Sequence, residues 1–372
     1  MDAGEERERL ALFLPSLGGG GAERVMVTLA NGFARRGHPV DLVLARAEGP
    51  FLSDVVEEIN LVDLEVGRTA AALPGLVQYL RDYRPAALLS TLNHANLIAI
   101  IAHRLAGSKA RLVVREANTT SFSTGEGAPL RGRLVPWLMR GLYRFAHQVV
   151  AVSGGVGDDL VEAGIAAPGQ VEVIYNPSIT EEGKALARES VEHPYFERGF
   201  EVILAVGSLT RQKDYPTLID AFERIAESRD EARLVVLGEG EERPVLEAMI
   251  ASRGLSERVD LAGFVDNPFS YMAKCDVFVL SSAWEGLPNT LIQALGVGAT
   301  AVATDCPSGP REILDGGRWG PLVEVGDSPG LAKALEEVLD GRWIEPDGRE
   351  EHLQQFREEA VVQRYLEVMN HQ

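Results

Sequence analysis

Along the first 150 residues, short apolar runs alternate with segments whose apolar residues recur every three or four positions. The runs LALFL (Leu10–Leu14), PVDLVL (Pro39–Leu44), AALLS (Ala86–Ser90), RLVV (Arg111–Val114) and QVVAV (Gln148–Val152) have the length and composition of strands buried on both faces. Between them, Arg24–Arg36 and Leu73–Tyr83 carry helical spacing. Strands alternating with helices predict a parallel sheet covered on both sides. A second series begins at EVILAVGS (Glu201–Ser208) and continues through ARLVVLG, RVDLAGF, CDVFVLS and ATAVAT, so the pattern predicts an α/β protein of two doubly wound domains. The boundary is expected after VEVIYNP (Val171–Pro177), because the polar stretch Ile179–Gly199 carries little strand signal. This gives a first domain over residues 1–177 and a second over 178–354. Past a stretch rich in Gly, Pro and charge (Asp340–Arg349), a last helical segment, EEAVVQRYLEVM, follows. In a two-lobed enzyme such a tail can cross back, which would join residues 355–372 to the first domain.

The most informative stretch is Ser281–Gly298, SSAWEGLPNTLIQALGVG. The strand DVFVLSS feeds it, Gly286, Pro288 and Asn289 interrupt the chain, and Leu291, Ile292, Ala294 and Leu295 resume an apolar helical face. First-turn amides without intrahelical partners, together with the helix dipole, attract a phosphate or a polyhydroxyl ligand. Glu285, just before the helix, is placed to accept hydrogen bonds from hydroxyls, and Gln293 projects toward the same end. In AVGSLTRQKDYPTLIDAF, Arg211 and Lys213 follow the first strand of the second domain, at the edge where doubly wound sheets bind ligands. Two cations there suit a diphosphate, although a solvated basic turn has the same sequence. Gly18–Gly21, after the first strand of the chain, let backbone approach a phosphate or sugar. That turn also suits a dinucleotide-binding dehydrogenase, but its spacing departs from G-x-G-x-x-G, and Asp41 lies within the second strand.

Composition narrows the function. The 372 residues exceed what one core usually serves, and 45% hydrophobic with 24% charged residues is ordinary for a globular protein. A net charge of −19 argues against a nucleic-acid binder, whose affinity comes from neutralising phosphates. The two cysteines, Cys275 and Cys306, fit a reducing compartment; with no signal-peptide pattern and no apolar run of spanning length, a cytoplasmic protein is expected. No D-x-D pair and no His/Cys cluster with metal spacing occurs in the sequence, so neither a metal nor another cofactor is expected. Against the overall charge, residues 129–148 (PLRGRLVPWLMRGLYRFAHQ) hold Arg131, Arg133, Arg140 and Arg144 and no acid. With Trp137, Leu138, Leu142 and Phe145 this reads either as an interfacial helix on an anionic membrane or as a core helix with solvated arginines.

Taken together, GGGGAER, VGSLTRQKDYPTLI, GEG (Gly238–Gly240), GFVDN (Gly263–Asn267), SSAWEGLPNTLIQALGVG and ATDCPSGPREIL resemble the retaining glycosyltransferases of family 4, in order and spacing over nearly the whole chain. The resemblance implies a GT-B fold, two Rossmann-like lobes facing a cleft, with a nucleotide-sugar donor held mostly by the C-terminal lobe. It implies that Glu285 contacts the donor sugar and that the backbone of Gly286, Leu287, Pro288, Asn289 and Thr290 meets sugar and phosphates. Lys213 would neutralise the diphosphate with help from Arg211, backbone at Phe264 and Val265 would bracket the base, and Gly20 and Gly21 would close from the other lobe. The implied reaction moves a hexose or N-acetylhexosamine, UDP-linked by the wording of WEGLPN and CPSGPRE, to a lipid-linked or saccharide acceptor. The chain departs from the family in three places. Gln293 stands where a second glutamate usually holds the ribose, Ser208 stands where many relatives have arginine, and VVREANTTS lacks a histidine often found there. His94, Arg115, Glu116 and Asn118 are the remaining acceptor-side candidates, and His94, like His38, also suits a structural role. The departures leave two alternatives open, a non-catalytic nucleotide-sugar-binding partner and a phosphorylase or epimerase on the same fold.

Overall fold

The computed structural model describes residues 7–18, 20–119, 130–197 and 199–370, with only the backbone of residues 130–134. The chain divides into two compact units: Met1–Pro177 with Gln355–Gln372, and Ser178–Gln354. The first contains a seven-stranded sheet in the order β3-β2-β1-β4-β5-β6-β7. Its strands are β1 (Leu10–Leu14), β2 (Val40–Leu44), β3 (Asn60–Asp63), β4 (Ala87–Thr91), β5 (Arg111–Glu116), β6 (Gln148–Ala151) and β7 (Val171–Val173). Every pairing is parallel. Both β1 and β4 are buried throughout, as expected of strands covered on both faces. By contrast β3 is an edge strand, NLVD, largely exposed. Its polarity hid it from a reading based on apolar runs.

The helix Gly21–Arg35 and the C-terminal helix Glu358–Asn370 pack together over this sheet. Leu10, Leu12, Val113 and Val150 meet Val361, Val362, Tyr365 and Met369 in one core. The close approach depends on Gly32, where a Cβ would lie 2.6 Å from Val362 Cγ2. Burying a Val or Leu side chain contributes about 1.5–3 kcal/mol. The repeated apolar face of EEAVVQRYLEVM therefore suffices to hold the tail on the first unit.

The second unit contains six parallel strands in the order β10-β9-β8-β11-β12-β13. They are β8 (Glu201–Val206), β9 (Ala232–Leu237), β10 (Val259–Gly263), β11 (Val277–Leu280), β12 (Ala301–Thr304) and β13 (Leu322–Val323). Helices Tyr215–Ser228 and Ser328–Leu339 bury Leu218, Phe222, Leu331 and Leu335 in the core of this unit. Strand order reverses between β8 and β11, and in the first unit between β1 and β4. At such a switch point adjacent loops leave the carboxyl ends in opposite directions and open a crevice for ligands.

Candidate active site

In the second unit, β8 and β11 pair with Val277 opposite Ile203 and Phe278 opposite Leu204, so their outgoing loops lie side by side. The β8 loop turns back over its own first residue. A Cβ on Gly207 would lie 2.7 Å from Lys213 Cε, and the Tyr215 hydroxyl donates to the Gly207 carbonyl at 2.9 Å. Glycine is what lets the lysine chain lie flat there. Gly238, with φ of 148°, and Gly240 bring the β9 loop against the same turn, where a Cβ would come within 2.1 Å of the Gly207 carbonyl oxygen and 2.3 Å of that of Leu209. The GEG sequence is thus explained by backbone packed on backbone.

Lys213 ends with its Nζ 2.5 Å from Glu285 Oε1. The lysine and glutamate side chains are only 16% and 8% exposed. Ser282 Oγ donates to the same carboxylate oxygen at 2.7 Å, and Gln212 Nε2 donates to Oε2 at 3.2 Å and to the Trp284 carbonyl at 3.0 Å. The two residues assigned from sequence to separate parts of a donor therefore form one ion pair. Gln212 and Ser282 were not among the sequence candidates. Their chain neighbours Lys213 and Glu285 were the only signal, and no spacing rule singles out a side chain that acts across two loops.

A third loop, after β12, braces Glu285 from behind. Glu285 N–H donates to the Pro307 carbonyl at 2.7 Å, Ser308 N–H to the Glu285 carbonyl at 2.9 Å, and Ser308 Oγ to the Gly286 carbonyl at 2.9 Å. Gly309, with φ of 103°, allows this contact, since a Cβ there would lie 2.7 Å from Pro288 Cδ. Burial of Cys306, and then the nearby Glu285 charge, push its thiol up to about 12, so it is neutral and unreactive as a nucleophile at physiological pH. Burial, reinforced by Glu285, likewise raises the Tyr215 phenol, which stays a hydrogen-bond donor.

The helix Asn289–Gly296 follows, anchored by buried Leu291, Ile292, Ala294 and Leu295, and Pro288 at its cap supplies no side-chain acceptor. Thr290 Oγ1 is buried near this N-terminus without a hydrogen-bond partner. Gln293 is half-buried beside Thr180, Lys184 and Phe269. Past β10, the Phe264 ring is 78% exposed and Val265 is half-buried. Ser208 and Arg211 are exposed, with Arg211 Nε 3.6 Å from Glu242.

In the first unit, Gly20 and Gly21 are exposed at the start of the helix Gly21–Arg35. The four acceptor-side candidates divide into two kinds. His94, in the first turn of the helix Asn93–Ala106, and Asn118 are exposed. Arg115 and Glu116 end β5 with side chains turned into the protein. Arg115 donates to Thr91 Oγ1 at 3.0 Å and Asn176 Oδ1 at 2.6 Å. Glu116 Oε1 accepts from Asn96 Nδ2 at 2.8 Å and from the Tyr143 hydroxyl, while Oε2 has no partner. Complete burial outweighs these bonds and pushes the Glu116 carboxyl up to about 7. Both residues organise the end of the sheet.

In the basic segment, Trp137 is 66% exposed on the helix Leu130–Leu142. Arg140 donates to the Ala163 carbonyl at 2.6 Å, and the Arg104 and Arg144 guanidiniums lie 3.8 and 4.8 Å from the Phe145 ring centroid. Pro129 and the side chains of Arg131 and Arg133 lie outside the described residues. Among those residues no group of three or more His, Cys, Asp or Glu is placed to hold a metal ion, and no helix is long and apolar enough to cross a membrane.

Comparison with known proteins agrees with this architecture. The family model described as "Glycosyltransferase Family 4" matches residues 19–182, and that described as "Glycosyl transferases group 1" matches residues 201–341. The chain is 32% identical over 344 residues, 90% of each sequence, to the N-acetylgalactosamine-N,N'-diacetylbacillosaminyl-diphospho-undecaprenol 4-alpha-N-acetylgalactosaminyltransferase of Campylobacter jejuni. In fold it is similar to Anabaena HepE in complex with UDP and glucose (TM-score 0.79, 20% identity, 98% of this chain and 100% of that one). It is similar also to the apo form of the lipopolysaccharide outer core galactosyltransferase WaaB (TM-score 0.72, 20% identity, 97% and 99% covered). Two Rossmann-like units and sequence matches in both place this chain among the GT-B glycosyltransferases of family 4, to which it belongs.

Proposed function

We propose that the protein moves a hexose or N-acetylhexosamine from a UDP-sugar to a lipid-linked or saccharide acceptor in polysaccharide or glycan assembly, with retention at the anomeric carbon. The observation that carries this reading is the Lys213–Glu285 pair beside the N-terminus of the helix Asn289–Gly296. It puts a cation, a carboxylate and backbone donors at one switch point, the set that a sugar diphosphate needs. The similarity to a transferase named for a diphospho-undecaprenol acceptor supports the acceptor class.

On this reading, Lys213 and Arg211 meet the diphosphate with the amides of Gly286, Leu287, Asn289 and Thr290, and Ser208 adds a neutral donor. Phe264 and Val265 hold the base, Gln293 the ribose, and Glu285 the sugar hydroxyls. The bond from the anomeric carbon to the diphosphate oxygen breaks, and a bond from the acceptor hydroxyl oxygen forms on the same face. The acceptor proton passes to the departing diphosphate. Charge develops on that leaving group, so Lys213 and the helix amides stabilise the transition state more than the ground state. His94 and Asn118 are the exposed polar groups offered to the acceptor.

UDP release from a panel of UDP-, GDP- and ADP-sugars, with and without polyprenyl-diphosphate-linked saccharides, tests the proposal. Glu285→Ala is expected to lower kcat by a factor on the order of 100 or more without unfolding the chain. Near-normal turnover in that variant would remove Glu285 from the site. We also propose that residues 129–148 meet the cytoplasmic face of an anionic membrane, a reading supported by the exposed Trp137 in a stretch whose only charged side chains are arginines. Flotation with anionic liposomes that is unchanged by Trp137→Ala with Arg144→Glu would refute it.

A further inference from the structure

Besides the Lys213–Glu285 ion pair, the β8 and β11 loops are fastened by four hydrogen bonds, three of which run through one residue. The Ala283 amide donates to the Gln212 carbonyl at 2.8 Å, and Gln212 Nε2 donates to the Trp284 carbonyl at 3.0 Å and to Glu285 Oε2 at 3.2 Å. The fourth, from Ser281 Oγ to the Lys213 carbonyl at 2.7 Å, lies beside them. The carboxylate is held unevenly. Oε1 takes both Lys213 and Ser282, whereas the only side chain holding Oε2 among the described contacts is Gln212. Without that bond only Oε1 is held, and the carboxylate plane loses one of its two anchors about a last torsion that is intrinsically broad for glutamate.

We infer that Gln212 is the positioning residue of this site: its amide fixes the plane of the Glu285 carboxylate and holds the β11 loop on the β8 loop. The inference rests on the proposed role of Glu285 toward the donor sugar. An amide suits the task because its NH2 group has two donors, one for each acceptor, and carries no charge. A lysine or arginine there would give Glu285 a second cation. A glutamate would set a second carboxylate against the first and lose both donors.

The chemistry of that last substitution gives a readout that simple loosening of the fold does not. Two carboxylates in one site cannot both ionise freely, so on acidification the Gln212→Glu pair takes up one shared proton and regains an O–H donor toward Glu285. The expected results come from steady-state kinetics of the full-length protein with whichever nucleotide sugar the wild type turns over. Gln212→Ala should lower kcat by about 10-fold or more, the worth of a hydrogen bond to a charged group, and change the affinity for free UDP less than twofold. The kcat of Gln212→Glu relative to wild type should rise as pH falls from about 8 to about 5.5, while the Gln212→Ala ratio stays flat. Calorimetric melting of each variant separates loss of the fold from loss of alignment. If Gln212→Ala folds and turns over like the wild type, or if the Gln212→Glu ratio does not change with pH, the inference is wrong. A wild type that releases nucleotide from no sugar donor defeats the functional reading instead. Crystal structures of wild type and Gln212→Ala then decide the inference, since it requires the Glu285 carboxylate to turn when Gln212 is removed, and an unmoved carboxylate refutes it.

Discussion

Removal of the Lys213 charge separates what the ion pair contributes to the fold from what it does in the reaction. At 2.5 Å, Coulomb's law with an effective dielectric of about 20 gives about 7 kcal/mol of attraction. Desolvation of the two groups, several kcal/mol per ion, offsets most of this. When only the lysine is lost the glutamate stays desolvated, which in buried pairs costs about 3–5 kcal/mol. Here Glu285 keeps Ser282 and Gln212 as donors, and the Lys213 side chain is 16% exposed. The cost of Lys213→Met is therefore about 2–3 kcal/mol. For a unit the size of Ser178–Gln354, each kcal/mol moves Tm by about 2–4 °C, so the expected fall is about 4–12 °C. Adding Glu285→Gln should restore at least half of it, because no charge is then buried alone, while activity stays lost. Differential scanning calorimetry on wild type, both single variants and the double variant closes the cycle. A Lys213→Met protein melting within about 1 °C of wild type, or a double variant as unstable as the two losses added, would refute the argument.

Two further outcomes are expected from other parts of the molecule. Phe264→Ala should weaken UDP binding by about 1 kcal/mol, roughly fivefold, with little change in kcat, because its 78% exposed ring offers a stacking face remote from the sugar; equal titration calorimetry for both proteins would exclude Phe264 from the base site. Glu116 gives a pH signature in the first unit. Its carboxyl is raised from 4.5 in the unfolded chain to about 7, so between those values the folded state keeps a proton the unfolded state has lost, and this contribution to stability is lost as pH rises through about 7. Glu116→Gln, which retains an oxygen for Asn96 and Tyr143, removes that slope, and its Tm relative to wild type should rise between pH 5 and pH 8. A difference in Tm that does not change with pH would show that Glu116 is not the titrating group.

The fold was legible where burial alone decides structure and obscure where polarity and backbone do. Apolar runs such as LALFL and DVFVLSS mark central strands because both faces are covered. NLVD is an edge strand that the same rule passes over. Within the site, the helix start after Pro288 and the carboxylate at Glu285 followed from chain order, since they depend on residues adjacent in sequence. The placement of Ser282 and Gln212 on two oxygens of one carboxylate depends on two loops that follow different strands, and the pattern along the chain does not show it. Arg115 and Glu116, named only because they stand in the stretch where the family often has a histidine, make hydrogen bonds inside the first unit that chain order does not reveal.

The ion pair also changes how donor binding on the proposed reading is to be pictured. Glu285 and Lys213 already hold each other, so a diphosphate does not enter an empty cationic slot; it competes with a carboxylate for the same ammonium. Whatever bond Lys213 gives to phosphate it withdraws in part from Glu285, and a carboxylate buried to this extent then needs another donor. The hydroxyls of the donor sugar are such donors, and a free diphosphate has none. The arrangement therefore favours ligands that bring both groups together. The nucleotide sugar should gain more over UDP alone in the wild type than in Glu285→Gln, where no displaced charge awaits the sugar. Binding of UDP and of the UDP-sugar to both proteins, measured by calorimetry under conditions without acceptor, gives the two ratios directly. An equal ratio in the two proteins would mean that the pair is only a fastening between loops and takes no part in selecting the donor.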